Sequence, residues 1–188
     1  SAILVTHLVR LTRVSPGFTA DGVLTFEITA KDPSKETVDR LQFHKRFLTT
    51  LEGIPGVTNA ALASSVPLSG CCFSTTLYPE GRSASPDTVQ RVSFRAVSQG
   101  FFSTLQIPIR AGRLLDARDV RDDPLAIVIN ESAARTYWPG QNAVEAYARL
   151  GGPEGTRVQI VGIVGDVRND GPGKPTVPEV YLLSAVVA

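Results

Sequence analysis

Leu125-Ala-Ile-Val-Ile-Asn-Glu-Ser-Ala-Ala-Arg-Thr-Tyr-Trp-Pro-Gly140 is the stretch on which the fold turns. Its first five residues are a nearly continuous apolar run and read as a strand. Asn130 is a good N-cap for the helix that follows, Glu131 to Trp138, and Pro139-Gly140 stops it. Tyr137 and Trp138 read as a core plug and not as a binding platform. Toward the C-terminus, Val158 to Val167 is a second strongly apolar strand. Asn169 to Pro178 is a loop rich in glycine and proline, and Val180 to Leu183 is a closing strand. Toward the N-terminus come a brief strand at Pro108 to Ala111, a short helix at Gln99 to Leu105, and strands at Thr88 to Val97 and Phe73 to Tyr78. Before these, Gly22 to Ala30 alternates as a strand and Ser34 to Glu52 is the clearest helix. Val38, Leu41, Leu48 and Leu51 fall at helical spacing, with Phe43 and Phe47 widening the stripe. Gly53-Ile-Pro-Gly56 ends that helix, and Val57 to Val66 reads as another strand. The result is a strand–helix–strand unit with one helix on a sheet face, followed by a β-rich remainder. Strands and helices alternate without a regular parallel rhythm, so the class is α+β.

The chain has 188 residues, of which 43% are hydrophobic and 20% charged, enough to bury a core in one domain or two small packed subdomains. Nineteen Lys and Arg against eighteen Asp and Glu leave a net charge of +1, which gives no footprint for nucleic acid. The two cysteines, Cys71 and Cys72, are adjacent. A bridge between them would be strained, and two neighbouring thiols do not make a zinc site. Methionine is absent even at position 1, so a piece or processed product of a longer chain is expected. Ala2 to Val14 is apolar on nearly every side until Arg10 and Arg13. That pattern fits the last turns of a membrane helix, with the arginines snorkelling to the interface, or a deeply buried core helix. No apolar run reaches the 18 or more residues of a complete span.

Enzyme signatures are missing. No serine stands in Gly-x-Ser-x-Gly, and the two histidines, His7 and His44, both lie in helical patterns. Gly171-Pro-Gly-Lys-Pro-Thr176 fails as a phosphate loop, because Arg168 and Pro175 occupy places that need Gly and Ser/Thr. Gly162-Ile-Val-Gly165 lies within or at the end of a strand with no helix after it, so it is no dinucleotide fingerprint. Asp116-Ala-Arg-Asp-Val-Arg-Asp-Asp123 lacks the order of a calcium loop and reads as a solvated loop. Asn130-Glu-Ser132 is formally a glycosylation acceptor, but capping explains it better. No catalytic, cofactor-binding or metal-binding residue is expected, and no cofactor.

Several segments, in order, resemble the MacB-like periplasmic core domain of ABC-type permeases of the MacB/FtsX type, especially duplicated acidobacterial ones. They are Leu8 to Phe18 with Gly22-Val-Leu24, Leu51-Glu-Gly-Ile-Pro-Gly-Val57 and Ala61-Leu-Ala-Ser-Ser-Val-Pro-Leu-Ser-Gly70. Next come Val97-Ser-Gln-Gly-Phe-Phe-Ser-Thr-Leu-Gln-Ile-Pro108, Ala111-Gly-Arg113 and Val128 to Gly140. The last are Val161-Gly-Ile-Val-Gly-Asp-Val-Arg168 and Pro178-Glu-Val-Tyr181. After Gly140 the family continues with Asp-Pro, an aliphatic residue and a glycine turn. Here Asn142-Ala-Val-Glu-Ala146 stands instead.

The resemblance implies a porter-like strand–helix–strand subdomain packed with a second mixed, sabre-like one. The expected division is 1–18 as the end of a transmembrane or stalk helix, 19–112 as porter-like, and 113–177 as sabre-like. The C-terminal strand 178–184 would join the porter-like part. It implies a site on the periplasmic side of the bacterial cell membrane, within an efflux permease. The domain would couple motion of the transmembrane helices to substrate or partner proteins, while an ATPase hydrolyses ATP on the other side. Implied partners are the rest of the permease, its ATPase, and a second permease copy or a membrane-fusion protein. The family's motifs are turns and packing positions, so the resemblance carries over no catalytic residue. The alternative is a ligand- or peptide-binding sensor domain, with Tyr78, Arg91 and Phe94 as candidates to line a groove between subdomains.

Overall fold

The computed structural model describes residues 14–28, 37–69, 73–81, 91–120, 124–171 and 173–183. In chain order these give α1 (Thr37–Glu52), β1 (Phe73–Pro79), β2 (Arg91–Val97), α2 (Phe101–Thr104), β3 (Ile109–Gly112) and a 3-10 turn (Ala117–Val120). Then come β4 (Leu125–Asn130), α3 (Glu131–Tyr137), β5 (Tyr147–Leu150), β6 (Thr156–Val164) and β7 (Glu179–Leu183). The α+β class is what the chain adopts.

The apolar run read from sequence becomes β4, buried at every position but Leu125. It sits between parallel β6 and antiparallel β7. Asn130 leaves the strand with extended backbone (φ −84°, ψ 169°), and its side-chain oxygen accepts from the Ala133 N–H at 2.9 Å, capping α3. The seven strands run in the order β3-β6-β4-β7-β2-β1-β5, and β5 also pairs with β6. Six of the seven therefore close into a ring, β6-β4-β7-β2-β1-β5-β6, in which both sides of each member are hydrogen-bonded. β6 is nine residues long, and this length allows the closure. Its first half pairs with β5 (Tyr147↔Gln159 to Leu150↔Thr156), and its second half, on the same edge, pairs with β3 (Gly112↔Gly162).

Side chains alternate across the ring. All six ring strands send residues to one cluster, which is therefore the interior: Leu77, Val92, Ile127, Ile129, Ala148, Val158, Ile160 and Val180. Tyr137 and Trp138 pack into the same cluster at 3% and 5% exposure, as the core plug read from sequence. The outward face of β2, β4, β6 and β7 carries a second core. There Val97, Val128, Val164, Tyr181 and Leu183 are covered by Phe101, Phe102, Leu105 and Ile107 from α2 and its continuation.

Three local readings are corrected. Residues 23–28, expected in a strand from Gly22 to Ala30, pair with no strand. Residues 57–66, expected as a second strand, touch the sheet through an isolated antiparallel bridge, Ala63↔Val97. Runs of small residues such as Ala60-Ala-Leu-Ala63 bury too little side chain to hold a ladder of their own. Conversely, Tyr147-Ala-Arg-Leu150, left unassigned from sequence, is β5 and closes the ring. The apolar segment 2–13, Ser34, the strand-adjacent Cys71 and Cys72, and His7 lie outside the described residues. The sheet takes β1–β3 from the stretch 19–112 and β4–β6 from 113–177, with β7 between β4 and β2.

Candidate functional site

The richest polar arrangement is built by the glycine- and proline-containing run between β6 and β7. Arg95 on β2 and Glu179 on β7 lie on neighbouring parallel strands, on the face that carries Tyr181. Their side chains are 2% and 0% exposed, with Arg95 Nε 3.1 Å from Glu179 Oε1. Asn169 completes the group. It accepts from Arg95 Nη2 at 3.0 Å and donates from Nδ2 to Glu179 Oε2 at 2.9 Å. The Tyr181 hydroxyl donates to the same carboxylate at 2.8 Å. Burial, and then the Glu179 charge, hold that phenol well above its ordinary pKa, so it stays a donor. The Arg95 guanidinium also lies 5.9 Å from the centre of the Phe101 ring.

Asp166 anchors the start of the same run to α3. It accepts from the Ser132 N–H (2.7 Å), the Ser132 hydroxyl (2.8 Å), Arg135 Nη2 (2.7 Å) and the Thr176 hydroxyl (3.2 Å). Burial alone would raise its pKa. The hydrogen bonds from Arg135 and Ser132 outweigh that and hold the carboxyl below the usual range. A depressed folded-state pKa stabilises above the unfolded carboxylate value, and that contribution is lost as pH falls through the folded value. Urea unfolding of the protein and of Asp166→Asn should therefore differ most near neutral pH, and the gap should narrow once pH drops below about 3.9. A gap independent of pH would show that the carboxylate charge contributes nothing.

Two other segments are tied to this run. The Arg168 N–H donates to the Pro16 carbonyl at 2.9 Å, and the Leu68 N–H donates to the Asn169 carbonyl at 3.1 Å. Gly17, at φ +85°, sits so close that a methyl group on it would overlap the Asp166 carbonyl oxygen. Phe18 and Val23 pack against the outer core that contains Val167, Tyr181 and Leu183. Residues 61–64 return from α1 along the end of β2. Ser98 N–H donates to the Leu62 carbonyl (2.8 Å), Leu62 N–H to the Ser98 hydroxyl (2.9 Å), and Ser64 N–H to the Ala96 carbonyl (2.9 Å).

An aromatic face accompanies α1. Phe47 meets Phe26 edge-on at 6.1 Å and stacks on Phe43 at 5.9 Å, yet Leu24, Phe26 and Phe43 remain 84%, 58% and 51% exposed. No strand is a principal neighbour of α1 among the described residues. The helix was expected to lie on a sheet face; here its aromatic stripe meets the segment before it.

The residues singled out in the sequence are dispersed. Arg91 donates to the Ser74 hydroxyl at 2.7 Å on the outer side of β1 and β2, whereas Phe94 stacks on Phe73 at 5.4 Å. Tyr78 stands at the far end of β1, opposite Arg149, so the three line no common groove. His44 is on α1, its ring 5.8 Å from Phe43. The acidic stretch from Asp116 is not simply solvated. Asp119 is fully buried and accepts from both Arg113 terminal nitrogens (2.8 and 2.7 Å), while Arg118 pairs with Asp116 at 2.7 Å. These pairings neutralise the carboxylates within the loop, and both Asp116 and Asp119 are held below their usual pKa. Among the described residues no group of His, Cys, Asp or Glu is placed to hold a metal, and no helix is long and apolar enough to cross a membrane. Sequence reading missed Arg95, Asn169 and Glu179. The available signal was a charged residue inside each of two apolar strands, a pattern that demands a buried partner.

The family described as MacB-like periplasmic core domain matches residues 6–183. Among solved structures the chain is similar to the periplasmic region of MacB from Actinobacillus actinomycetemcomitans, at 16% identity and a TM-score of 0.52. That likeness covers 76% of this chain and 56% of the other, so the chain spans just over half of that relative's length. It is also similar to the extracellular domain of the noncanonic ABC-type transporter YknZ from Gram-positive bacteria, at 16% identity and a TM-score of 0.51, over 84% of this chain and 70% of that one. At such identities the two likenesses speak for the fold. No curated protein matches the chain.

Proposed function

Because this chain belongs to the family of MacB-like periplasmic core domains, we propose that it is the extracytoplasmic, non-catalytic part of an ABC-type exporter permease. In that role it carries motion of the transmembrane helices to a substrate or partner outside the membrane. The observation that carries this reading is that both ends of the described chain reach one apolar core. Phe18 and Val23, near the first described residue, pack on the cluster that holds Tyr181 and Leu183 of the last strand. A body entered and left on the same core is displaced as a whole when its two tethers move together, and is strained when they move apart. The exposed apolar side chains Leu24, Phe26 and Phe43 are then the surface turned to a partner. We place the porter-like part in 19–112 and the sabre-like part in 113–177, sharing the one sheet.

The test belongs in the full-length permease with its ATPase. Replacing residues 14–183 by a flexible linker should leave basal ATP hydrolysis in place and abolish export. Export that persists would overturn the coupling role. For the sensor alternative, thermal-shift measurements on the isolated chain decide. A ligand at a hundred times its Kd would add about 2.7 kcal/mol of stability, whereas a coupling body is expected to show no shift with candidate substrates or lipids.

A further inference from the structure

We propose that residues 165–169 form a latch joining the segment by which the chain enters the fold, the return from α1, and the strand by which it leaves. The inference rests on the coupling reading above and assigns it to particular bonds. Residues 165–169 contact all three parts through different atoms. The Arg168 N–H holds the Pro16 carbonyl at 2.9 Å, with Gly17 pressed against Asp166. The Asn169 carbonyl holds the Leu68 N–H at 3.1 Å, at the end of the segment returning from α1. The Asn169 side chain holds β7 and β2 together through Glu179 (2.9 Å) and Arg95 (3.0 Å). At the base of the run, the Gly165 N–H donates to the Pro108 carbonyl at 2.8 Å and Asp166 fixes α3.

The chemistry of the latch is asymmetric. Backbone bonds on its rim, at Pro16 and Leu68, are single and lie near the surface, so each alone is weak. The side-chain bonds beneath involve buried charges and are stronger. Displacing the entering segment therefore does not slide it freely over the sheet. It pulls on residues 166–168, whose next neighbour is pinned to β7. The expected behaviour is a local opening unit in which rim and pin open together, below the free energy of global unfolding.

Native-state amide hydrogen exchange on the 188-residue chain, with increasing denaturant, tests this directly. The Thr19 amide, bonded to the Leu105 carbonyl at 2.9 Å, reports the entering segment; Leu68 reports the return from α1, Arg168 the latch, and Trp138, the residue that caps the end of α3, is the reference. Thr19, Leu68 and Arg168 should converge on one opening event, separate from that of Trp138. In Asn169→Ala, all three should exchange faster by the same factor, about tenfold. Unequal acceleration of the three would overturn the proposal, as would faster exchange at Arg168 with Thr19 and Leu68 unaffected. If the variant does not fold, the denaturant dependence of the unmodified chain still decides, because three unrelated opening energies would overturn it. The exchange result and the export assay fail separately. The latch can be absent from a domain that transmits motion by another route, and present in one that transmits none.

Discussion

Glu179→Gln is expected to destabilise the protein by about 3–5 kcal/mol, the cost of breaking a buried ion pair by removing one partner. Arg95 is left with its guanidinium in an interior from which water is excluded, its own side chain 2% exposed. The new amide can still meet Asn169 or the Tyr181 hydroxyl, so the lost term is mainly the charge. Against a typical total of about 5–15 kcal/mol, such a loss approaches the folding threshold. Urea unfolding checks it through the midpoint at constant slope. The double replacement Arg95→Met with Glu179→Gln should recover much of the loss, because no uncompensated charge then remains. A cost under about 1 kcal/mol for Glu179→Gln, the value typical of exposed pairs, would mean that the carboxylate does not neutralise Arg95.

Gly162→Ala is expected to be nearly as damaging for a steric reason. Gly162 lies in β6 opposite Gly112 of β3, and a methyl group on it would overlap the carbonyl oxygen of Arg113. The obstacle is backbone, so no rotamer change relieves it. Relief requires lifting Arg113 off the sheet, and Arg113 is the partner of the fully buried Asp119. Overpacking of about 1–3 kcal/mol then adds to about 1–3 kcal/mol for a buried group left unsatisfied. Thermal unfolding should show the combined loss. Gly53→Ala, where an added methyl group makes only ordinary contacts, should stay within about 0.5 kcal/mol. Equal effects at the two positions would refute the steric argument.

These two sites also mark where sequence reading stops. The run Leu125 to Gly140 announced β4, its Asn130 cap, α3 and the Pro-Gly stop, because each rests on local rules: apolar continuity, capping chemistry and helix termination. The ion pair of Arg95 with Glu179 was illegible because the partners lie on strands far apart in the chain, and nothing local records that β2 and β7 are neighbours. Glycines such as Gly17 and Gly162 were visible as turn or strand residues, but their purpose depends on which backbone crosses above them. Residues 23–28 show the converse failure. Alternating Val, Thr and Glu satisfies the period of a strand, but period alone supplies no partner edge. β5 escaped notice for a related reason, since four residues with an arginine among them carry too little pattern until β6 is there to receive them.

The closed ring has a consequence for crowding. Strand edges with unmet N–H and C=O groups recruit one another wherever copies of a chain are concentrated. Because β5 completes the circuit on β6, β3 is the one strand with a neighbour on a single side among the described residues. It is four residues long, with Arg110 at its centre and Gly112 at its end. So short and charged a margin is a poor template for another chain.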